Sequence, residues 1–293
     1  MHAHRPLPAD SALAQAIAVL ARAQQDAVWD RTTAHNKLRS HLREYFPGFL
    51  AGTRDGIIRP EARAVLAAAP TPAAAAKLTL AQLRALLKKA GRSRGIDAEA
   101  TRLREAFREQ QMRQLPLAGQ AMGQQALALL RQLEAACTSA ADLEAAAAGS
   151  FNQHPDAGII TSFPGLGPLT GARVLAETGD DRSRFNDARG LKAYAGAAPI
   201  TRASGKSRSV THRKIKNNRL ASAGYAWAFS ALTASPGARA HYDRRRQTGD
   251  RHSAAQRNLF NRLLGCLHHC LATSQPYNET TAFPTQAAPP AAA

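Results

Sequence analysis

The stretch TRASGKSRSV, residues 201–210, sets Ser204 beside Gly205 and surrounds it with Arg202, Lys206 and Arg208, with no acid in the segment. A hydroxyl can attack a phosphodiester only where cations offset the charge building on the phosphoryl oxygens and a base takes the proton. The three cations meet the first condition. For the second, the segment offers only His212, just beyond it. A carboxylate or metal-bound oxygen would otherwise have to come from elsewhere. On residue types alone the stretch is either a nucleophile site or a loop that grips phosphate, and serines in basic loops are more commonly the latter.

A second candidate lies upstream. FPGLGPLTGARVLAE, 163–177, has the form of a helix-hairpin-helix. Gly165-Leu166-Gly167 makes a tight turn, Thr170 follows in the first turn of the next helix, and Gly171 and Ala172 are small where two helices would cross. Glycines let backbone N–H groups at a helix N-terminus approach a phosphate oxygen, and the helix dipole favours the charge. Such a device holds DNA without reading sequence. An ordinary helical turn is the alternative.

Further basic residues follow. KIKNNRL supplies Lys214, Lys216 and Arg219, and YDRRRQTGD supplies Arg244, Arg245 and Arg246, a phosphate patch or a solvated turn. Between them, Tyr225, Trp227 and Phe229 are expected in the core. CLHHC, 266–270, is expected to be a helix packing its cysteines inward, since a structural zinc site draws on two separated ligand pairs. Asp26 and Asp30 share a helix face with Arg22 and Arg31 close by, a pattern of surface ion pairing. No metal centre is expected in this chain.

The charge balance points the same way. The chain of 293 residues carries 39 Lys plus Arg against 21 Asp plus Glu, a formal charge of +18. That balance marks a polyanion partner, with nucleic acid first. Residues 200–262 hold 14 of the cations and only Asp243 and Asp250 as acids, so this segment should face the partner. No run approaches the roughly 18 apolar residues of a spanning helix, which argues against a membrane. MHAHRPLP is no signal peptide, and three cysteines without a CxxC pair favour a reducing cytoplasm.

Helices must position these residues. Leu13, Ile17, Leu20, Val28, Leu38, Leu42 and Tyr45 recur at helical spacing, capped by Asp10 or Ser11 and stopped by YFPG. Residues 60–76 read as a connector with a short helix, followed by helices from Thr79 and Asp97. An apolar seam through Leu127, Leu130, Leu133 and Cys137 predicts a long arm or hairpin that could dimerise. RSRFNDARGLKAYAGAAP, 182–199, is a capped helix ending at Gly196. The Pro and Ala tail, 276–293, is expected to be disordered.

FPGLGPLTGARVLAETGD, FNDARGLKAYAGAAPITRASGKSRSV, KIKNNRL, SPGARAHYDRRR and NLFNRLLGCLHHCL together resemble the transposases of the insertion sequence 110 family, the DEDD or bridge-RNA-guided serine recombinases. The likeness covers nearly the whole chain. It implies a mainly α chain of four parts. These are the C-terminal helices of a RuvC-like domain over 1–52, a helical coiled-coil arm over 53–150, a serine transposase domain with the helix-hairpin-helix over 151–275, and the tail.

By the resemblance Ser204 is the catalytic serine, joined covalently to DNA. The family's acidic tetrad, which holds magnesium, would lie upstream of the region matched here, so the chain resembles a member truncated at its N-terminus and impaired alone. DNA, an element-encoded RNA, and homo-oligomers or mixed oligomers with a full-length transposase are the implied partners, in the cytoplasm at the nucleoid. The rival expectation is a non-catalytic nucleic-acid-binding remnant.

Overall fold

Ser11 begins the first helix: its hydroxyl accepts a hydrogen bond from the Ala14 N–H at 3.1 Å, satisfying a donor that a helix start leaves unpaired. α1 (Ala12–Tyr45) runs to Phe46, where the following proline disfavours helical backbone, and α2 (Pro47–Thr53) restarts beyond the break. The computed structural model describes residues 9–110, 114–205 and 207–284. α3 (Pro60–Ala68), α4 (Pro72–Lys77), α5 (Leu80–Lys89) and α6 (Ile96–Arg108) each follow a start signal. Proline opens α3 and α4, a Thr79 and Gln82 capping box opens α5, and Asp97 and Glu99 sit in the first turn of α6. Then come α7 (Pro116–Asn152), α8 (Ala157–Thr161), α9 (Pro168–Thr178), a 3-10 turn at Arg182–Arg184, and α10 (Ala188–Tyr194). The strands β1 (Ile200–Ser204) and β2 (Ser207–Thr211) are followed by α11 (Asn218–Ala234), α12 (Pro236–Gln247), α13 (His252–Thr273) and α14 (Glu279–Ala282). The chain is mainly α, and among the described residues no helix is long and apolar enough to cross a membrane.

Two compact units divide the chain: Gln24–Asp142, and a discontinuous unit of Met1–Ala23 with Leu143–Ala293. The chain passes between them within α1 and within α7. The boundaries at 52 and 150 are those the family resemblance implies, whereas the compact units change over within helices, which can leave one core and enter another without a signal in composition.

In the first unit Leu38, Leu42, Phe46, Phe49, Leu83 and Phe107 are buried together with Ala126, Leu130 and Leu133 of α7. Phe107 stacks on Phe49 at 6.2 Å and tilts against Phe46 at 5.6 Å. Arg92 bridges Glu61 at 2.8 Å and Glu99 at 3.4 Å, and Arg102 also pairs with Glu99. The stretch expected as a helical arm or hairpin holds α3 to α6 and nearly all of the long α7, with α6 packed on α2, α4 and α5. Its α7 seam is filled from within, and the expected connector at 60–76 carries two helices, not one.

In the second unit α11 is central, packed on α9, α12 and α13. Trp227 is fully buried, edge-on to Phe163 at 5.6 Å and Phe260 at 6.0 Å. Tyr225 and Phe229, expected beside it in the core, are 53% and 59% exposed. Residues two apart on a helix lie roughly 200° apart, so burying Trp227 turns both outward. CLHHC lies on α13 with Cys270 buried and Cys266 half-buried, and burial pushes both thiols up from their ordinary range.

The tail needs correction over part of its length. Residues 276–284 are placed: Ala282 is buried, and Glu279 accepts hydrogen bonds from the Ser235 hydroxyl at 2.7 Å and the Gly237 N–H at 2.8 Å, at the start of α12. Residues 285–293 lie outside the described residues.

Candidate nucleic-acid interface

α8 and α9 are joined by a tight turn that packs against α11. Gly165 has φ of +81°, and an added Cβ would stand 2.6 Å from the Ala231 nitrogen, so both its backbone conformation and its close approach exclude a side chain. The Trp227 Nε1–H donates to the Pro164 carbonyl at 3.1 Å, which anchors the same turn. Gly167 is the exposed N-cap of α9, and nothing lies within 4 Å of the position its Cβ would take. Pro168 has no N–H, so the orphan amides of this helix start are those around Leu169 and Thr170. Gly171 lies against Ile160 of α8 and Phe151, where the sequence expects a close helix crossing.

Glu177, at the other end of α9, is 2% exposed and organises a polar network that sequence reasoning missed. Arg22 of α1 donates to it through Nε at 2.8 Å and through a terminal nitrogen at 3.1 Å, and the Asn217 amide donates to it at 2.6 Å. That hydrogen bond to Glu177 holds the Arg22 guanidinium above its already high ordinary range. The same Asn217 amide donates to the Tyr194 hydroxyl at 2.6 Å, while its Oδ1 caps α11 by accepting the Leu220 N–H at 2.8 Å. A lone acid on an otherwise apolar helix face and an Asn just before an apolar helix were the available signals.

Asp10 and Ser11 are fixed to the same unit. Asp10 Oδ1 accepts the N–H groups of Asp180 and Asp181, each at 3.0 Å, and Asp180 accepts the Ser11 N–H at 2.9 Å. Asp10 therefore caps a turn. Burial alone would raise Asp180, but the bonds from Ser11 and His154 outweigh it and hold its carboxyl below the ordinary range.

Residues 195–216 leave this framework as a loop carrying the two-stranded hairpin. Sequence reasoning reads a loop here because the strands lack an apolar alternation. β1 and β2 pair antiparallel with Ser204 opposite Ser207, and Gly205, at φ of +54°, supplies the positive φ that a two-residue hairpin turn favours. Ser204 is exposed at the tip. Arg202 pairs in register with Ser209, and Arg208 with Ala203. The side chains of Arg202 and Arg208, and Lys206 altogether, lie outside the described residues.

The register separates Ser204 from its sequence-adjacent base. Thr211 is opposite Ile200, so His212 lies at the base of the hairpin, at least four residue steps or roughly 13 Å from the tip. Among the described residues none hydrogen-bonds the Ser204 hydroxyl. No group of three or more His, Cys, Asp or Glu is arranged to hold a metal among them either, so the described residues do not fit a magnesium site.

The other basic candidates divide by use. Lys214 and Arg244 are exposed. Lys216 packs along Gly196 and Arg219 donates to the Arg22 carbonyl at 3.1 Å, so both are partly structural. Arg245 is paired with Asp250 at 2.6 Å, and Arg246 donates to the Asp250 carbonyl at 2.6 Å. The triple arginine thus ends α12 with Arg245 and Arg246 bound to Asp250 and Arg244 turned to solvent.

Comparison with known proteins covers both units. A family model described as the transposases of IS116, IS110 and IS902 matches residues 157–243, from α8 into α12. A second, described as a transposase and bearing the DEDD and IS110 names, matches residues 1–47. A mini-circle protein of Streptomyces coelicolor, named as a candidate transposase for IS117, is 63% identical over 97% of this chain and 69% of its own length. A 42 kDa protein of the IS900 element of Mycobacterium paratuberculosis is 30% identical over 96% of this chain and 69% of its own. A 44.8 kDa protein of IS116 from Streptomyces clavuligerus is 31% identical over 89% of this chain and 65% of its own. The matches run through both the α1 framework and the α8 to α12 region that carries the hairpin, and the chain belongs to the transposase family of IS116, IS110 and IS902.

Proposed function

We propose that the chain recombines DNA through Ser204. The observation that carries this reading is the placement of Ser204: an exposed hydroxyl at the tip of a hairpin rooted in a buried polar network, within the most basic segment of the chain. In the step proposed, Ser204 Oγ bonds to a backbone phosphorus as one P–O bond to a sugar oxygen breaks. The leaving oxygen takes a proton and the hydroxyl proton passes to a base. A second transesterification transfers the phosphoryl group to a new DNA end, so phosphodiester bonds are conserved and no energy source is consumed.

Arg202, Lys206, Arg208, Lys214 and Arg244 are the proposed phosphate contacts, with the start of α9, at Gly167 and Thr170, holding backbone. Gly165, Lys216, Arg219, Arg245 and Arg246 support that surface. No base among the described residues hydrogen-bonds Ser204, so the proposal includes carboxylates supplied by another subunit or a full-length transposase, in an oligomer guided by element-encoded RNA at the nucleoid. The 1–52, 53–150 and 151–275 segments remain the proposed functional parts.

A non-catalytic role is the second reading, favoured by one observation: among the described residues no side chain hydrogen-bonds the Ser204 hydroxyl to take its proton. The two readings separate in one experiment. Incubation with element-end DNA, then denaturing electrophoresis, gives a protein-linked DNA band that Ser204→Ala abolishes if the serine reacts. No such band, even with a full-length relative added, leaves the binding role.

A further inference from the structure

A pocket of about 200 Å³ opens at the root of the hairpin, lined by Arg213, Lys216, Tyr225, Gln256, Arg257 and Phe260 among others, with no acid. Gln256 is 1% exposed. Its Nε2 donates to the Tyr225 carbonyl at 2.8 Å, which fixes the amide orientation and leaves Oε1 a buried acceptor without a partner. Buried acceptors are rarely left unpaired, and one that lines a pocket is suited to an incoming N–H donor. Arg213 Nε is likewise buried and unpaired. Two rings, Phe260 and the half-exposed Tyr225, contribute flat apolar surface. The volume is below the roughly 300–1,000 Å³ of drug-sized ligand sites, and suits one planar ring system.

We propose that this pocket takes a single unstacked nucleobase from the DNA strand engaged by the Ser204 hairpin. The proposal rests on the DNA-binding reading above. Every base carries at least one N–H that Gln256 Oε1 can accept: the amino groups of adenine, cytosine and guanine, or the ring N–H of thymine and guanine. Tyr225 offers a stacking face, and Arg213, Lys216 and Arg257 provide charge for the flanking phosphates. His212 and Arg213 follow β2 directly, so a strand lying along the hairpin passes the pocket mouth. The pocket therefore holds the strand in register without selecting one base strongly.

The test uses the full chain carrying Ser204→Ala, so that no covalent product forms. Binding is compared by fluorescence anisotropy for two single strands of about 15 nucleotides, one intact and one with three consecutive central abasic sites and the same phosphates. The intact strand is expected to bind roughly five- to tenfold more tightly. Gln256→Leu and Tyr225→Ala should each bring the ratio close to one while leaving affinity for the abasic strand unchanged. Should Gln256→Leu fail to fold, Tyr225→Ala, altering a side chain more than half exposed, carries the comparison. Equal affinity for the two strands, or a preference that survives both substitutions, overturns the pocket and leaves DNA binding intact. If neither strand binds, the DNA-binding reading fails and the pocket proposal with it.

Discussion

Asn217 and Tyr194 are joined twice: the Asn217 side-chain amide donates to the Tyr194 hydroxyl at 2.6 Å, and its backbone N–H donates to the Tyr194 carbonyl at 2.8 Å. One residue precedes the hairpin segment and the other follows it. The pair closes the loop, and Glu177, bonded to the same amide, ties that closure to α9 and α1. The hairpin is poor in buried apolar contacts, so this polar closure is what fixes its origin.

Asn217→Ala removes the α11 cap and one of the donors to a buried carboxylate. A loss of about 2 kcal/mol in unfolding free energy is expected, read from urea denaturation. Asn217→Asp restores the cap but sets two carboxylates together and should not recover wild-type stability. A midpoint unchanged by Asn217→Ala would mean the network does not hold the loop.

The two turn glycines should separate folding from binding. Gly165→Ala combines a positive φ with a close approach to α11, and is expected to cost about 2–3 kcal/mol. Gly167→Ala meets open space and should stay within about 0.5 kcal/mol of wild type, while weakening DNA binding if phosphate approaches the start of α9. Thermal melting and an electrophoretic shift on the same samples decide the matter.

Acid should destabilise the Met1–Ala23 and Leu143–Ala293 unit. Asp180 and Glu279 are held below their ordinary values of 3.8 and 4.5 in the fold, where burial pushes them up and hydrogen bonds, from Ser11 and His154 or from Ser235 and Tyr277, prevail. The unfolded chain then binds more protons, so their contribution is present above the ordinary values and is lost as pH falls through the lower folded ones. Melting temperatures measured from about pH 5 to pH 3 should drop, and less steeply in Asp180→Asn and Glu279→Gln. An identical slope in the variants would assign the acid sensitivity to other groups.

Neighbouring arginines should behave differently. Arg244 is exposed, and Arg244→Ala should lower the slope of log affinity against log salt by about one if it contacts phosphate. Arg245 is bound to Asp250, and Arg245→Ala should instead cost about 0.5–1 kcal/mol of stability. Affinity titrations at several salt concentrations, paired with melts, distinguish the roles. Equal effects on both readouts would mean that Arg244 and Arg245 share one role.

Helix starts were readable because Ser11, Thr79 and Asp187 carry their capping chemistry locally, whereas the Asn278 cap was lost in a tail read as disordered from its composition. The α1 break at Phe46 followed from Pro47 in the same way. The hairpin was hidden because its strands alternate nothing: a serine- and arginine-rich segment signals a strand only through Gly205. Tyr225 and Phe229 were misplaced because aromatic content was weighed without helical phase. The Glu177 network joins residues from α1, α9, α10 and the loop before α11, and no local pattern announces contacts at a separation of more than a hundred residues.

The discontinuity of one unit bears on how the protein is made. Gln24–Asp142 is one continuous stretch, and its core is complete once translation has passed residue 142. The other unit needs Ile17 and Ala21 from the start of the chain and Leu259, Leu263 and Leu267 from near its end. Domains generally fold as units while the chain is synthesised. The half that carries Ser204 must therefore wait, with the N-terminal turns of α1 unaccompanied, until the ribosome has released α13. The hairpin reaches its working framework only after α13 has been made, so a chain interrupted before α13 holds the whole Gln24–Asp142 stretch but lacks part of the core on which the Ser204 hairpin is mounted.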